Sequence, residues 1–182
     1  MRQLIAGFSV ALLLAGCASF GPSTPPPLRT LDYLHDDLGS LLIAYDLPRG
    51  IGPVDGPQTV SFDIAGPTPR HVKAVLAQAD ADEVAGNLPP PASGRAYYLY
   101  DFGPPDQTAI RAAQQAARAG NLQNTDLKLT LAPRLCRSEA TVDLKQVTVS
   151  VLVALPGGRA LAPLIDHQLL DQSSAASLPA CS

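Results

Sequence analysis

Apolar residues recur at every second position in several separate segments of this chain, and this alternation restricts its fold more than any other feature. In segment 59–65, Val60, Phe62 and Ile64 fall on one face of an extended chain, and the polar Ser61 falls between them on the other. A period of two indicates a β-strand with one buried face. The sequence therefore predicts a protein built mainly from half-buried strands.

The same alternation is clear in segments 126–132 and 146–155. It is less regular in segments 40–47 and 96–102. A turn at Pro156-Gly157-Gly158 predicts a further strand near residues 159–165. Within residues 70–86, segment 71–80 fits either a strand or an alanine-rich helix. Its neighbours are predicted strands, so we favour the strand.

One segment has the features of a helix. Pro104 and Pro105 suit a first turn, Asp106 suits the positive end of a helix, and Gly120 and Asn121 suit its termination. The expected buried face consists of Ala109, Ile110, Ala113, Ala116 and Ala117. The expected water-facing side chains are Arg111, Gln114, Gln115 and Arg118. We interpret this helix as a structural crossover that packs on a sheet.

About seven strands, one Ala-rich helix and no β-α-β series predict a mainly β protein. The expected architecture is an antiparallel β-sandwich, immunoglobulin-like in outline. Residues 29–182 suit a single domain of this kind. Residues 50–57 contain three glycines but no lysine and no following helix, so we predict a hairpin loop there rather than a phosphate-binding loop.

A short apolar run, Leu4 to Leu14, follows the basic Arg2 near the start of the chain. It is too short for a membrane span, which needs about 20 apolar residues. Residues 1–16 are therefore predicted to be a cleaved signal peptide. One interpretation is that the chain is an ordinary secreted protein whose cleavage site happens to include a cysteine. The other, attachment of a lipid to that cysteine, is described next.

The residues Leu14-Ala15-Gly16-Cys17 resemble the lipobox of bacterial lipoproteins. That resemblance implies a diacylglycerol on the sulfur of Cys17 and membrane attachment through the N-terminal lipid. Because Ala18 rather than aspartate follows the cysteine, it also implies the periplasmic face of the outer membrane. Residues 17–28 are then the lipidated cysteine and a Pro-rich tether, which either holds the domain away from the bilayer or is a leader of no particular length.

Charge and cysteine content restrict the partners further. Without the signal peptide the chain has 12 basic and 16 acidic residues, a formal net charge of −4, and no basic stripe. Nucleic acid is therefore not an expected partner. Cys136 and Cys181 are the remaining cysteines, and an exported chain predicts a disulfide between them.

The sequence shows no catalytic motif, so we predict no catalytic residues, no metal site and no cofactor. His35, His71 and His167 lack metal-ligand spacing, and neither remaining cysteine lies in a nucleophile signature. The acidic cluster at residues 80–83 does not follow the EF-hand spacing, and a solvated loop is the favoured interpretation.

Tyr97 is the one candidate binding residue. In the segment Tyr97 to Tyr100, alternate side chains point to opposite faces, so Tyr97 lies opposite Tyr98 and Tyr100. On an exposed sheet face, Tyr97 suits a platform for glycan or peptide. The simpler interpretation, which we favour for this segment, is that its tyrosines cap the core and keep their hydroxyls in water.

The expected function is a non-enzymatic binding or scaffolding role in the cell envelope, with an envelope protein or the cell wall as partner. One alternative is a cell-wall or glycan-active hydrolase, which would need Asp36 or Asp37 close to a second acid. A further alternative is an accessory subunit of a secretion or transport machine.

Overall fold

The computed structural model describes residues 31–80, 88–131, 133–139, 142–154, 161–170 and 178–181. These residues form nine strands and one α-helix: β1 (Leu42–Pro48), β2 (Ile51–Pro53), β3 (Gln58–Ile64), β4 (Arg70–Gln78), β5 (Arg95–Phe102), α1 (Pro104–Ala119), β6 (Leu127–Leu131), β7 (Leu135–Arg137), β8 (Thr148–Ala154) and β9 (Ala162–Leu169). The signal peptide, Cys17, the tether and the turn at 156–158 lie outside the described residues, as do residues 81–83 of the acidic cluster.

Seven strands form one antiparallel sheet in the order β6-β3-β4-β5-β1-β8-β9, and this sheet curls into a half-barrel. Strands β2 and β7 pair as a separate two-stranded sheet. The predicted fold class is confirmed: the chain is mainly β, its strands are antiparallel, and the described residues include one Ala-rich helix. The two sheets are very unequal in size. Segment 71–80 is extended, as favoured, because β4 pairs along its length with β3.

The prediction of a hairpin loop at residues 50–57 is wrong. Residues Ile51–Pro53 form β2, which pairs with β7 far away in sequence. The strands on either side of this segment, β1 and β3, are not neighbours in the large sheet, where β5 and β4 lie between them. A local turn pattern cannot show which strands pair, because the choice depends on residues distant in sequence.

The hydrophobic core lies on one face of the half-barrel, and all seven of its strands contribute to it. The alternation predicted for β3 is observed: its burial alternates at every residue, with Val60, Phe62 and Ile64 buried. Aromatic rings pack between strands within this core, with ring centroids 5.0 Å apart for Tyr45 and Tyr100. Leu38, Leu41 and other side chains outside the sheet complete the cluster.

Strand β1 is buried on both of its faces. It lies between β5 and β8, and its five central residues, from Ile43 to Leu47, are all buried. Ile43, Tyr45 and Leu47 point into the core, which leaves Ala44 and Asp46 buried on the opposite, outer face of the sheet. The outer face therefore contains a buried polar position at the centre of the sheet.

Helix α1 spans residues Pro104–Ala119, close to the prediction, and the chain leaves it through Asn121, whose backbone is left-handed (φ 54°). Ile110, Ala113 and Ala117 are buried, as expected. Two features of the expected helix faces are wrong. Ala109 is exposed, and Gln114, expected to face water, is only 4% exposed because its amide is used in a contact described below.

Candidate functional site

A row of polar side chains crosses the outer face of the large sheet. In the antiparallel registers, Asp46 of β1 lies directly between Tyr97 of β5 and Ser150 of β8. Strand β9 lies on the other side of β8. Two of its residues, Asp166 and His167, lie opposite the single residue Ser150, because the β8–β9 register shifts between Val149 and Val151. We call Tyr97, Asp46, Ser150, Asp166 and His167 the polar row.

Tyr97 lies at one end of the polar row. It is half-buried, and it belongs to the outer face rather than to the core that contains Tyr100. Desolvation, and to a smaller extent the neighbouring Asp46 carboxylate, raise the pKa of Tyr97. The phenol therefore stays protonated at neutral pH and can donate a hydrogen bond. Its role as a binding residue stays a prediction.

A buried ion pair occupies the centre of the row. Arg95 Nε donates to Asp46 Oδ1 at 2.8 Å, and each side chain is only 11% exposed. The same guanidinium donates to Thr148 Oγ1 at 3.1 Å and to the Asp46 carbonyl oxygen. A buried guanidinium with several acceptors is held in one orientation, because each lost bond would leave a donor unsatisfied. The floor of the row is therefore rigid and its two charges cancel.

The other end of the row is a β-bulge, and the backbone of His167 is left-handed there (φ 42°). The hydroxyl of Ser150, a residue that is only 1% exposed, accepts a hydrogen bond from the His167 backbone N–H at 2.9 Å. A second contact orients the side chain, because the carboxylate Oδ1 of Asp166 lies 2.5 Å from Nδ1 of His167. Both side chains are more than half exposed. The bulge therefore presents an oriented imidazole and a carboxylate to solvent.

The row has the dimensions and groups of a binding surface. It crosses four neighbouring strands, so its two ends are about 14 Å apart. Its accessible groups are the half-buried Tyr97 phenol, the Asp166 carboxylate and the His167 imidazole, which together donate and accept hydrogen bonds, and Asp46 and Ser150 lie buried between them. Sequence reasoning identified Tyr97 but missed Asp46, Arg95 and Ser150. The one available signal was a charged residue, Asp46, inside the otherwise apolar segment of β1.

A second polar cluster fastens the first described residues to the helix. Arg111 Nε and Nη2 donate to the two carboxylate oxygens of Asp37 at 2.9 and 2.8 Å. The Gln114 amide donates to the carbonyl oxygens of Tyr33 and Asp36 at 2.7 and 2.8 Å. Arg118 donates to the carbonyl oxygen of Leu34. We call these contacts between α1 and residues 33–37 the clasp.

Asp36 and Asp37, the acids that the hydrolase alternative would need, belong to the segment that the clasp holds. The Arg111 guanidinium, and then a hydrogen bond from Ser40, hold the pKa of Asp37 below its usual value despite partial desolvation. The Asp36 carboxylate accepts the backbone N–H of Asp32 at 2.8 Å. Both groups therefore have structural contacts in this arrangement.

The predicted cysteine pair is present as a disulfide between Cys136 and Cys181. Around it, the C-terminal tail forms a parallel bridge with β7. The Arg137 N–H donates to the carbonyl oxygen of Pro179, and the Cys181 N–H donates to that of Arg137, both at 2.9 Å. The disulfide joins the tail to the small sheet, whose residues Ile51 and Leu135 pack in the core.

The other histidines do not converge on a site. His35 contacts Asp32 (2.7 Å) and His71 contacts Asp63 (2.6 Å), both on the surface. In the described part of the chain, no three histidine, cysteine, aspartate or glutamate side chains lie close enough together to hold a metal ion. A cavity of about 220 Å³ lies between the end of α1 and the β3–β4 turn, with mainly apolar walls and Arg70 at one side. It is smaller than most ligand pockets.

Comparison of the chain with known protein families, characterised proteins and solved structures finds no match. The described residues contain no helix with the length and apolar character that a membrane span requires.

Proposed function

We propose that this protein is a lipid-anchored protein of the bacterial cell envelope that binds a partner through the polar row and does not catalyse a reaction. Its lipid is attached at Cys17, and its place is the periplasmic face of the outer membrane. The lipobox resemblance supports the anchor and the location. The polar row supports the binding role.

One observation carries the binding role: the left-handed backbone of His167 beside the buried Ser150. This conformation costs a residue with a side chain about 1–2 kcal/mol. Bulges and strained residues occur preferentially at functional sites, where the surrounding structure holds them in place. Here the strain puts an aspartate and a histidine at the end of the row that begins at Tyr97.

The clasp supports the anchored arrangement. The expected tether ends at residue 28, and the described residues begin at Leu31, which packs in the core. Contacts from Arg111, Gln114 and Arg118 hold the next residues against α1. A tether attached at this point would leave the domain from a defined place, which limits the orientations of the polar row relative to the membrane.

In-cell photo-crosslinking tests the proposal. A photoreactive phenylalanine analogue replaces Tyr97 in the lipid-anchored protein, and the matched control carries it at Lys73, an exposed position on the outer side of β4. We expect a discrete adduct from position 97, no such adduct from position 73, and loss of the adduct in Cys17→Ser. Equal adducts from both positions would contradict the proposal.

The identity of the adduct separates the alternatives. A component of a secretion or transport machine, captured at stoichiometric yield, would replace the binding role with that of an accessory subunit. Shortening of isolated cell-wall glycan strands by the purified protein would overturn the non-enzymatic assignment and favour a hydrolase.

A further inference from the structure

We propose that the polar row binds a neutral glycan strand. This inference rests on the proposed function, because it assigns a ligand class to the same face. The ligand is inferred from the charge of the row, from the position of its aromatic ring, and from the state of its hydrogen-bonding groups.

The buried centre of the row carries no net charge, because Asp46 is bound by Arg95 at 2.8 Å. At the exposed end of the row, the Asp166 carboxylate lies 2.5 Å from the His167 ring. The buried pair offers no net field to a ligand, and the exposed carboxylate disfavours an anionic one. An uncharged ligand with many hydroxyl groups suits this face, because the Asp166 carboxylate keeps lone pairs that accept hydrogen bonds.

Tyr97 and His167, at the two ends of the polar row, carry groups that can contact such a ligand. The phenol ring of Tyr97 is partly exposed and combines an apolar face with a polar tip, which matches the apolar C–H face and the hydroxyls of a pyranose ring. The contact with Asp166 engages Nδ1 of His167, and Nε2 makes no hydrogen bond to any described residue. It is therefore available to a ligand hydroxyl.

The geometry favours a glycan over a peptide. An extended peptide usually binds a sheet at its edge, where unpaired backbone groups hydrogen-bond to it. Tyr97 lies on the face of β5, and Asp46 and Ser150 lie buried beside it on β1 and β8, strands whose backbones already pair with each other. The Tyr97 end of the row therefore offers a side chain and no unpaired strand edge, and the edge strand β9 carries only the His167 end. The separation of about 14 Å between the ends of the row suits a short oligosaccharide.

Titration calorimetry with the purified full-length lipoprotein in detergent tests the assignment. The probe is the neutral tetramer of N-acetylglucosamine, and the comparison ligand is the anionic tetramer of galacturonic acid. We expect saturable binding of the neutral tetramer and at least about tenfold weaker binding of the anionic one, a difference of about 1.4 kcal/mol. Absence of binding by the neutral tetramer would overturn the inference.

Variants separate recognition from folding. His167→Gly removes the imidazole and suits the left-handed backbone, so we expect an unchanged or higher thermal midpoint together with about tenfold weaker binding. Tyr97→Ala should weaken binding to a similar extent, whereas Tyr97→Phe keeps the ring and most of the affinity. Val75→Ala, at an exposed position on β4, is the control and should bind like the wild type. Wild-type affinity in both His167→Gly and Tyr97→Ala would contradict the assignment.

Two results distinguish failure of this inference from failure of the proposed function. A specific protein adduct at position 97 in cells, without glycan binding by the purified protein, would reject the glycan and keep the binding face. Absence of any position-specific adduct or ligand would reject both.

Discussion

Arg111 and Asp37 form a two-point ion pair, with Nε to Oδ1 at 2.9 Å and Nη2 to Oδ2 at 2.8 Å. They are 74 residues apart, on helix α1 and on the chain that leads into β1. A carboxylate that receives two parallel N–H donors has one preferred orientation. This pair therefore connects the start of the described chain to the helix.

The contribution of this pair to stability should depend on pH. The pKa of Asp37 lies below its ordinary 3.8 in the folded protein, mainly because of Arg111. The contribution is therefore fully present above pH 3.8 and is lost as the pH falls through the lower folded pKa. We expect Arg111→Gln to unfold at lower urea concentration than the wild type at pH 7, and the difference to shrink toward pH 2. The measurement is urea unfolding at a series of pH values.

Asp37→Asn and the double variant provide the control for that prediction. The two single substitutions should not be additive, since each removes the same interaction. A difference between wild type and Arg111→Gln that stays constant from pH 7 to pH 2 would contradict the assignment to Asp37.

Tyr45→Phe should stabilise the protein. The Tyr45 side chain is fully buried in the core, and its hydroxyl has no hydrogen-bond partner among the described residues. Removing a buried, unsatisfied hydroxyl while keeping the ring recovers a desolvation penalty, so we expect a gain of about 1 kcal/mol in the free energy of unfolding. Thermal and urea unfolding measure it. Tyr45→Leu, which loses the ring packing against Tyr100, should instead destabilise; loss of stability in Tyr45→Phe would show that the hydroxyl is satisfied.

Gln58→Leu should destabilise the protein by about 2 kcal/mol, because it takes away the side-chain partner of the Val54 carbonyl oxygen and of the Arg134 N–H. Gln58 is fully buried, donates to the carbonyl oxygens of Val54 and Arg134 at 3.2 and 3.3 Å, and accepts the Arg134 N–H at 2.8 Å. Thr59→Val, one residue further along β3 on the outer face, is the matched control, with an expected change within about 0.5 kcal/mol. Equal stability of the two variants in urea would show that the Gln58 contacts contribute little.

Removing the disulfide should destabilise the native state strongly. The cysteines are 45 residues apart, and closing a loop of this length restricts the unfolded chain by about 4 kcal/mol in the chain-entropy treatment. The double variant Cys136→Ala, Cys181→Ala should lose approximately that amount in guanidinium unfolding. A reductant should lower the stability of the wild type and leave the double variant unchanged. A wild type that keeps its full stability when reduced would contradict this prediction.

Local patterns were sufficient for the longer elements, but not for the short strands β2 and β7. The alternation of Val60, Phe62 and Ile64 predicts β3, and the sequence from Pro104 to Asn121 predicts α1, because strand and helix faces depend on spacing within a few residues. The pairing of Cys136 with Cys181 was also predicted from the sequence, because these two cysteines remain when Cys17 is assigned as the expected lipidation site. The face of Tyr97 relative to Tyr100 follows from the same alternation.

The tertiary structure alone determined which strands are neighbours and which polar groups are buried. Asp46, Gln58 and Gln114 are polar residues whose burial depends on partners distant in sequence: Arg95, Arg134 and Tyr33. The bulge at His167 depends in the same way on Ser150 of the adjacent strand. Burial removes the hydrogen bonds of a polar side chain to water, and at these positions the distant partners replace them. Sequence spacing therefore determined the longer elements of this protein, and contacts between distant residues determined the β2–β7 pair, the strand order, the clasp and the polar row.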